Sequence, residues 1–479
     1  MDRAKLIFGN AVSQKDYQKA CRQKEKFRKK FGDDSGTEYH FAAADNAVLA
    51  PIGVKNLVLT DKPGLVLPDN AVLVGNIRMG YGHYRISMAI ASAAHAMGYA
   101  PYWLDLNSFP VSTATKLISH QNDLYSLGSR LSQKIGLFNK LVWEPINSEG
   151  FRKLSYNAGD QKNAELMAPL LRNLPKDVPY IATHAWPAQA AIHAGFTRVV
   201  NAIPDNWPMA LHLAEGAVHT VQTPSAWLGY KMLRGMDAKR QLKPMPEGTL
   251  FDVGHYVDHE LVSNIEADCE ARLARMREGA PRRYLLSIGG AGAQQKLFED
   301  IIRHLIPDIR AGKAMLLVNT GDHFEVWDSI AAHIPELQGL YTTHFDDYEA
   351  AKAFLEKDEG LTGVQVFCHK DIFAAVYVTN LLMRVCDVLL TKPSELSFYP
   401  VPKLMIHRVG GHEAWGAIRA AEVGDGSYEL DKTEEVLAML DEITNGNEIL
   451  PALCRGILRA KAAGIYNGAY EAVKLAVNK

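Results

Sequence analysis

From residue 71 the alternation of apolar and polar positions becomes regular. Ala71-Val72-Leu73-Val74 is a short apolar run ending in glycine-rich sequence, which predicts a buried strand. Residues 84–97 repeat apolar and small residues at helical spacing, and Tyr102-Trp103-Leu104-Asp105-Leu106 predicts the next strand. Strand, helix and strand in that order imply a parallel sheet with right-handed crossovers. Further strands are predicted at 180–183, 199–203 and 218–222.

Pro244, Pro246, Gly248 and Gly254 then mark 243–259 as a linker. The alternation restarts after a charged helix near 260–278, with a strand at 284–288, a helix at 294–306 and a strand at 314–319. Runs at 365–368, 388–390 and 403–406 continue it. The expected class is α/β, with two Rossmann-like lobes of parallel sheet. The boundaries read as an extension at 1–70, a lobe at 71–242 with a helical insertion at 116–175, the linker, a second lobe at 260–455, and a final helix at 456–479 available to pack back on the first lobe.

Two other patterns qualify this picture. Eight lysines and arginines crowd into 15–30, and the run 131–143 carries Leu131, Ile135, Phe138 and Val142 on one helical face. A solvated helix and a core helix account for them; contact with an anionic or lipid surface is the competing reading.

Composition removes several classes. The 479 residues are 47% hydrophobic and 22% charged, which excludes whole-chain disorder. Lys+Arg 52 against Asp+Glu 54 leaves no global attraction to nucleic acid. No apolar run reaches the roughly 18 residues of a spanning helix. Cys21, Cys269, Cys368, Cys386 and Cys454 are scattered without a C-x-x-C pair, so neither a zinc ribbon nor a disulfide framework is expected. The first residues lack a signal-like apolar region, and a reducing cytoplasmic location is the expectation.

The candidate chemistry sits where strands end. Gly75 to His83 contains Gly80 and Gly82, glycines that let backbone N–H groups approach a phosphate or another substrate at a helix start. His83 suits general-base work near neutrality, or it caps the turn. A dinucleotide fingerprint wants glycine where Arg85 stands; Asp105 keeps a nicotinamide reading open. Gly289, Gly290 and Gly292 form a second glycine turn able to hold a diphosphate. Thr391-Lys392-Pro393-Ser394-Glu395 follows a strand, with Ser394 positioned as a cap and Glu395 able to accept from a ribose diol. His412 and Glu413 lie in a later loop; dipole partnering is the plain alternative for Glu395 and Glu413. Asp205 follows a strand and is able to act as acid, base or orienter, while His184 is more readily a structural polar residue.

Taken in order, these motifs resemble the GT-B glycosyltransferases of the branch holding monogalactosyldiacylglycerol synthase and the peptidoglycan lipid II N-acetylglucosaminyltransferase. Gly80-Tyr81-Gly82-His83 is similar to the family's glycine-histidine loop, and Val221-Gln222-Thr223-Pro224-Ser225, Gly289–Gly292, Thr391-Lys392, Glu395 and Gly411-His412-Glu413 are similar to later landmarks, colinear from about 71 to 430. The family's longer glycine-rich loop after its Thr-Lys pair is replaced here by Pro393-Ser394-Glu395. The resemblance implies two lobes facing across a cleft, a UDP-sugar donor on the C-terminal one and an acceptor on the N-terminal one, with inversion. It implies no metal and no resident cofactor: backbone amides and helix dipoles stabilise the departing diphosphate. His83 and Asp205 take the catalytic roles, and Gly80, Gly82 and His184 stand on the acceptor side. Gly289, Gly290, Gly292, Thr391, Lys392, Ser394, Glu395, His412 and Glu413 contact the donor. A sugar-nucleotide epimerase or hydrolase, or a nonenzymatic binding protein, shares the same fold. A glycan or lipid acceptor, and a peripheral membrane location, fit the two additional segments.

Overall fold

A computed structural model describes residues 2–134, 150–288, 294–357, 361–408 and 410–478. The chain divides into two compact units, Met1–Asp258 with Asn467–Lys479, and His259–Tyr466. Gly289, Gly290, Gly292 and most of the amphipathic run 131–143 lie outside the described residues.

The first unit is built on eight strands: β1 (His40–Asp45), β2 (Lys55–Thr60), β3 (Ala71–Asn76), β4 (Ala100–Asp105), β5 (Tyr180–Ala182), β6 (Val199–Ala202), β7 (Val218–Val221) and β8 (Leu250–Asp252). Their order is β8-β7-β6-β5-β3-β4-β2-β1, parallel except where β1 meets β2. All six residues of β3 are buried, as a central strand covered on both faces requires. From β3 the chain runs out to β4 on one side and returns to β5 on the other, so the sheet changes direction between β3 and β5. Ligands of open α/β sheets bind in the crevice beyond the strand ends at such a switch point.

The stretch 1–70, read from sequence as an extension, instead contributes β1 and β2. The sequence His-Phe-Ala-Ala-Ala-Asp of β1 hid it: an antiparallel edge strand needs only half its residues buried, and three alanines give no strong β signal. Its basic segment is α1 (Gln14–Phe31), capped by Ser13, with Arg28, Lys29 and Lys30 in the last turn, where cations complement the helix dipole. Lys15, Lys19, Arg22 and Lys26 are exposed. The expected linker likewise contains β8, which pairs with β7.

The helices that matter below are α2 (Gly82–Ala96), α3 (Leu154–Met167), α4 (Ala185–His193), α5 (Pro224–Lys231), and in the second unit α6 (Ile265–Arg277), α7 (Ile372–Val385), α8 (Ala414–Val423) and α9 (Ile449–Ala462). The last helix, α10 (Gly468–Val477), packs on α2 in the first unit. Gly468 donates its N–H to His255 O at 2.9 Å, and a Cβ at Gly468 would meet Gly254 O at 2.2 Å, so a larger residue would push the helix off. Residue 456, where this helix was expected to begin, lies inside α9.

The second unit holds β9 (Arg282–Ser287), β10 (Ala314–Asn319), β11 (Tyr341–Phe345), β12 (Val364–Cys368), β13 (Val388–Thr391), β14 (Lys403–Ile406) and β15 (Gly426–Leu430). Their order is β11-β12-β10-β9-β13-β14-β15, all parallel. Its switch point falls between β9 and β13. Lys403 and Asp425 are fully buried and paired at 2.7 Å, with Tyr466 donating to Asp425 at 2.7 Å. No helix among the described residues is long and apolar enough to cross a membrane.

Candidate functional site

In the first unit the loop after β3 turns through Gly80, whose φ of 70° is the left-handed conformation glycine adopts without strain, and enters α2 at Gly82. His83 is therefore in the first turn of a helix at the switch point. It is half-buried, and its Nδ1 lies 2.7 Å from the carbonyl oxygen of Thr183, the residue after β5. Thr183 answers with its own hydroxyl, donated to His83 O at 3.2 Å, and its N–H bonds Gly75 O at 3.0 Å. One histidine and one threonine thus tie the loops beyond β3 and β5 together.

His184 follows directly. It is buried, and its Nδ1 accepts from Trp186 N–H at 3.1 Å, which makes it the cap of α4. Its ring lies 4.9 Å from that of His83, nearly edge-on. Burial first, and then the neighbouring His83 and His212, hold its pKa well below the ordinary histidine value. It is a neutral ring whose remaining proton is on Nε2.

Asp205, in the loop beyond β6, places Oδ2 3.2 Å from Nε2 of His212. The other nitrogen of His212 lies 2.6 Å from the Tyr230 hydroxyl on α5, which is itself 3.1 Å from Trp207 O. Burial, and after it the charge of Asp205, keeps Tyr230 well above the usual phenol range, so it stays protonated. His212 and Tyr230 were not singled out by sequence. Only the folding of the loop beyond β6 onto α5 brings the two side chains together.

Asn76, the last residue of β3, is fully buried, and neither atom of its amide has a hydrogen-bond partner. Buried amides are rarely left so, and an orphan at a switch point marks a place for a ligand or an ordered water. Asp105, by contrast, is occupied: it accepts from Tyr84 at 2.5 Å and from Asn107 N–H at 2.8 Å. The acid needed for a ribose under the nicotinamide reading is spent on its own unit's structure.

In the second unit Thr391 ends β13 at the switch point. Its hydroxyl bonds Lys392 O at 3.1 Å, and Lys392 Nζ is paired with Glu413. Glu413 also accepts the Gly410 N–H at 3.2 Å, so one carboxylate joins the loop beyond β13 to the loop beyond β14. Gly416 on α8 sits so close that a Cβ would meet Pro393 O at 2.7 Å. Glu395 opens a short 3-10 turn, Glu395–Phe398. Ser394 precedes it but makes no side-chain cap, a correction to its expected role: a four-residue turn needs little capping, and the backbone of Ser394 is not set for it. The backbone of His412 lies in the turn Gly411–Glu413; its side chain is outside the described residues.

Among the described residues the histidines of the first unit do not converge at metal-ligand spacing. Among the described residues only His407, Glu429 and Asp431 do, and Arg408 already binds Glu429 at 2.5 Å.

Residues 6–232 match the family model "Domain of unknown function (DUF6937)", and residues 245–477 match "Domain of unknown function (DUF6938)". No curated protein matches the sequence. Similar solved structures include the UDP-GlcNAc 2-epimerase from Neisseria meningitidis bound to UDP-GlcNAc, at 10% identity over 85% of this chain and 100% of that one, TM-score 0.45. Others are the α,α-trehalose 6-phosphate synthase from Burkholderia multivorans, at 12% identity over 85% and 98%, TM-score 0.43, and a glycosyltransferase from Rickettsia africae, at 10% identity over 86% and 100%, TM-score 0.39. Scores of this size carry no substrate or reaction over to this chain.

Proposed function

We propose that the chain is a glycosyltransferase that moves a sugar from a nucleotide-sugar, a UDP-sugar by the resemblance of its motifs, to a hydroxyl of a glycan or lipid-linked acceptor. The observation that carries this reading is the fixing of His83 at the switch point of the first sheet. A neutral imidazole that donates from Nδ1 to Thr183 O keeps its basic lone pair on Nε2. In the reaction the acceptor oxygen attacks the anomeric carbon from the face opposite the diphosphate. The carbon–oxygen bond to the diphosphate breaks, and the acceptor proton passes to His83. Neutral His184 donates from Nε2 toward acceptor oxygens, and Asp205 with His212 forms a second polar group beside them.

In the second unit Lys392, positioned by Glu413, offers charge to the departing diphosphate, Thr391 and Ser394 offer hydroxyls, and Glu395 offers a carboxylate to the ribose. The donor is a substrate, and no resident cofactor enters the reading.

The test is a thermal-shift series with uridine, guanosine and thymidine sugar nucleotides, followed by product analysis with and without acceptors. A ligand at about 100 times its Kd stabilises by about 2.7 kcal/mol, which a melt resolves. Absence of a shift with every sugar nucleotide defeats the proposal. Free sugar or an epimerised donor formed without acceptor replaces transfer by hydrolysis or epimerisation.

A further inference from the structure

The first helix carries more charge than the fold uses. α1 holds eight lysines and arginines against two carboxylates, Asp16 and Glu25, in a chain whose formal net charge is -2. One side of the helix is given to packing. Ala20 is buried, Phe27 and Phe31 pack against the core of the first unit, Tyr17 donates to Asp2 at 2.7 Å, and Lys24 pairs with Glu165 of α3 at 2.5 Å. These positions recur every three or four residues, which places them on one face.

The opposite face is basic. Lys15, Lys19, Arg22 and Lys26 follow one another at spacings of four, three and four, and Lys29 continues the row. All five are exposed. At 1.5 Å per residue the row runs for about 21 Å. Lys29 lies 3.8 Å from Glu25, which Arg28 binds at 2.8 Å. Among the described residues no carboxylate pairs with Lys15, Lys19, Arg22 or Lys26. Like charges at these spacings weaken a helix. The helix dipole favours cations in the last turn, so it accounts for Lys29 and not for Lys15 or Lys19, which stand nearer its positive end. Within the chain these four cations oppose the helix and nothing offsets them. An anionic surface facing the row does.

We propose that the exposed face of α1 docks the protein onto an anionic phospholipid bilayer. Such a bilayer presents a flat, smeared negative potential, which a straight row of cations meets along its whole length. Each cation near the surface tightens binding about fivefold. The row carries no aromatic side chain, since Tyr17, Phe27 and Phe31 lie on the packed side, so a single-stranded nucleic acid finds no stacking platform there. The apolar side of α1 is occupied by the core. Contact is therefore by charge, without insertion among the acyl chains, and salt reverses it. The docking stands apart from the transferase reading; where both hold, the acceptor is a lipid-linked one in the same membrane.

Vesicle co-sedimentation of the intact protein tests this. Vesicles of phosphatidylcholine with roughly 30% phosphatidylglycerol should pellet the protein at low salt and release it at about 0.5 M salt. Vesicles of phosphatidylcholine alone should leave it in solution. Lys15→Gln, Lys19→Gln, Arg22→Gln and Lys26→Gln combined should weaken the partition on the order of 10²- to 10³-fold. Lys313→Gln, Lys357→Gln and Lys432→Gln combined, at exposed positions of the second unit, should leave it unchanged. The proposal is overturned if neither vesicle binds, if both bind equally, if salt has no effect, or if the quadruple variant pellets like the wild type. It is also overturned if that variant loses binding to an oligonucleotide while keeping its binding to vesicles. The wild-type comparison of the two vesicles decides even where the variant does not fold. Pelleting without sugar transfer removes the transferase reading and leaves the docking intact.

Discussion

His212 Nε2 stands 3.2 Å from Asp205 Oδ2, while its Nδ1 meets the Tyr230 hydroxyl at 2.6 Å. The Tyr230 hydroxyl also lies 3.1 Å from Trp207 O, so one ring links the loop beyond β6 to α5. Asp205→Asn, which removes the carboxylate beside His212, is expected to lower kcat for sugar transfer on the order of 10- to 100-fold. An unaltered kcat removes Asp205 from the chemistry.

His83→Ala removes the proposed base. Turnover is expected to fall on the order of 10²- to 10⁴-fold, with donor affinity retained because the proposed donor contacts lie on the second unit. Steady-state kinetics combined with nucleotide binding separates the two effects. Full turnover assigns His83 to capping alone.

Lys392→Ala leaves Glu413 buried without its cation. Nucleotide-sugar affinity should drop by about tenfold or more, and the Gly410–Glu413 loop should loosen. Lys392→Ala combined with Glu413→Gln should recover stability but not affinity, as read by melting and titration calorimetry. Recovery of affinity by the double variant would place Lys392 in a structural role only.

Gly75 in β3 faces the ring of Tyr180 in β5, and a Cβ there would come within 2.2 Å of the hydroxyl and 2.6 Å of the ring edge. Gly75→Ala is expected to cost about 1–3 kcal/mol by overpacking. Since Tyr180 is fully buried and its hydroxyl has no hydrogen-bond partner, Tyr180→Leu should make room. The double variant should then lose less than the sum of the single losses, with a coupling of about 0.5–3 kcal/mol in denaturant titrations. Simple additivity contradicts the contact.

Asp160 on α3 is buried beside Trp186, and burial pushes its carboxyl up to about 8 from an ordinary value near 3.8. The folded protein therefore binds a proton that the unfolded chain releases between those values. Stability from this group is present at low pH and is lost as pH rises through that window, by up to about 6 kcal/mol as an upper bound. Asp160→Asn lacks this loss, so its melting temperature should match the wild type near pH 4 and exceed it increasingly toward pH 8. His219, which burial holds at about 4, gives the opposite slope below pH 6.5 in both proteins and cancels in the difference. Parallel melting curves would show that Asp160 ionises freely.

The sheets were legible because the strands that carry ligand loops are central, and central parallel strands are continuously apolar, as β3, β10 and β13 are. β1 and β11 escaped notice: the first is alanine-rich and half-buried, the second starts with three exposed residues, and edge strands need no stronger pattern. The candidate site divides the same way. His83, Asp205 and Thr391 are readable because each follows the carboxyl end of a predicted strand. His212 and Tyr230 join Asp205 through the folding of an irregular loop onto a helix, and Lys403 meets Asp425 across two strands that lie about twenty residues apart in the chain. No periodicity encodes those encounters.

The helix α10 belongs with the first unit, and it packs on α2, the helix that begins with Gly82 and His83. Arg198 Nε donates to Ala476 O at 3.1 Å, anchoring it at the far end. On a ribosome, roughly 200 residues of the second unit must emerge between the two parts of that core. At about 5–20 residues per second, the first unit waits on the order of 10–40 s for its last helix. Until then the partner surface of α2 is bare, and a nascent chain stalled before residue 468 carries the His83 loop on an unfinished core that chaperones can bind.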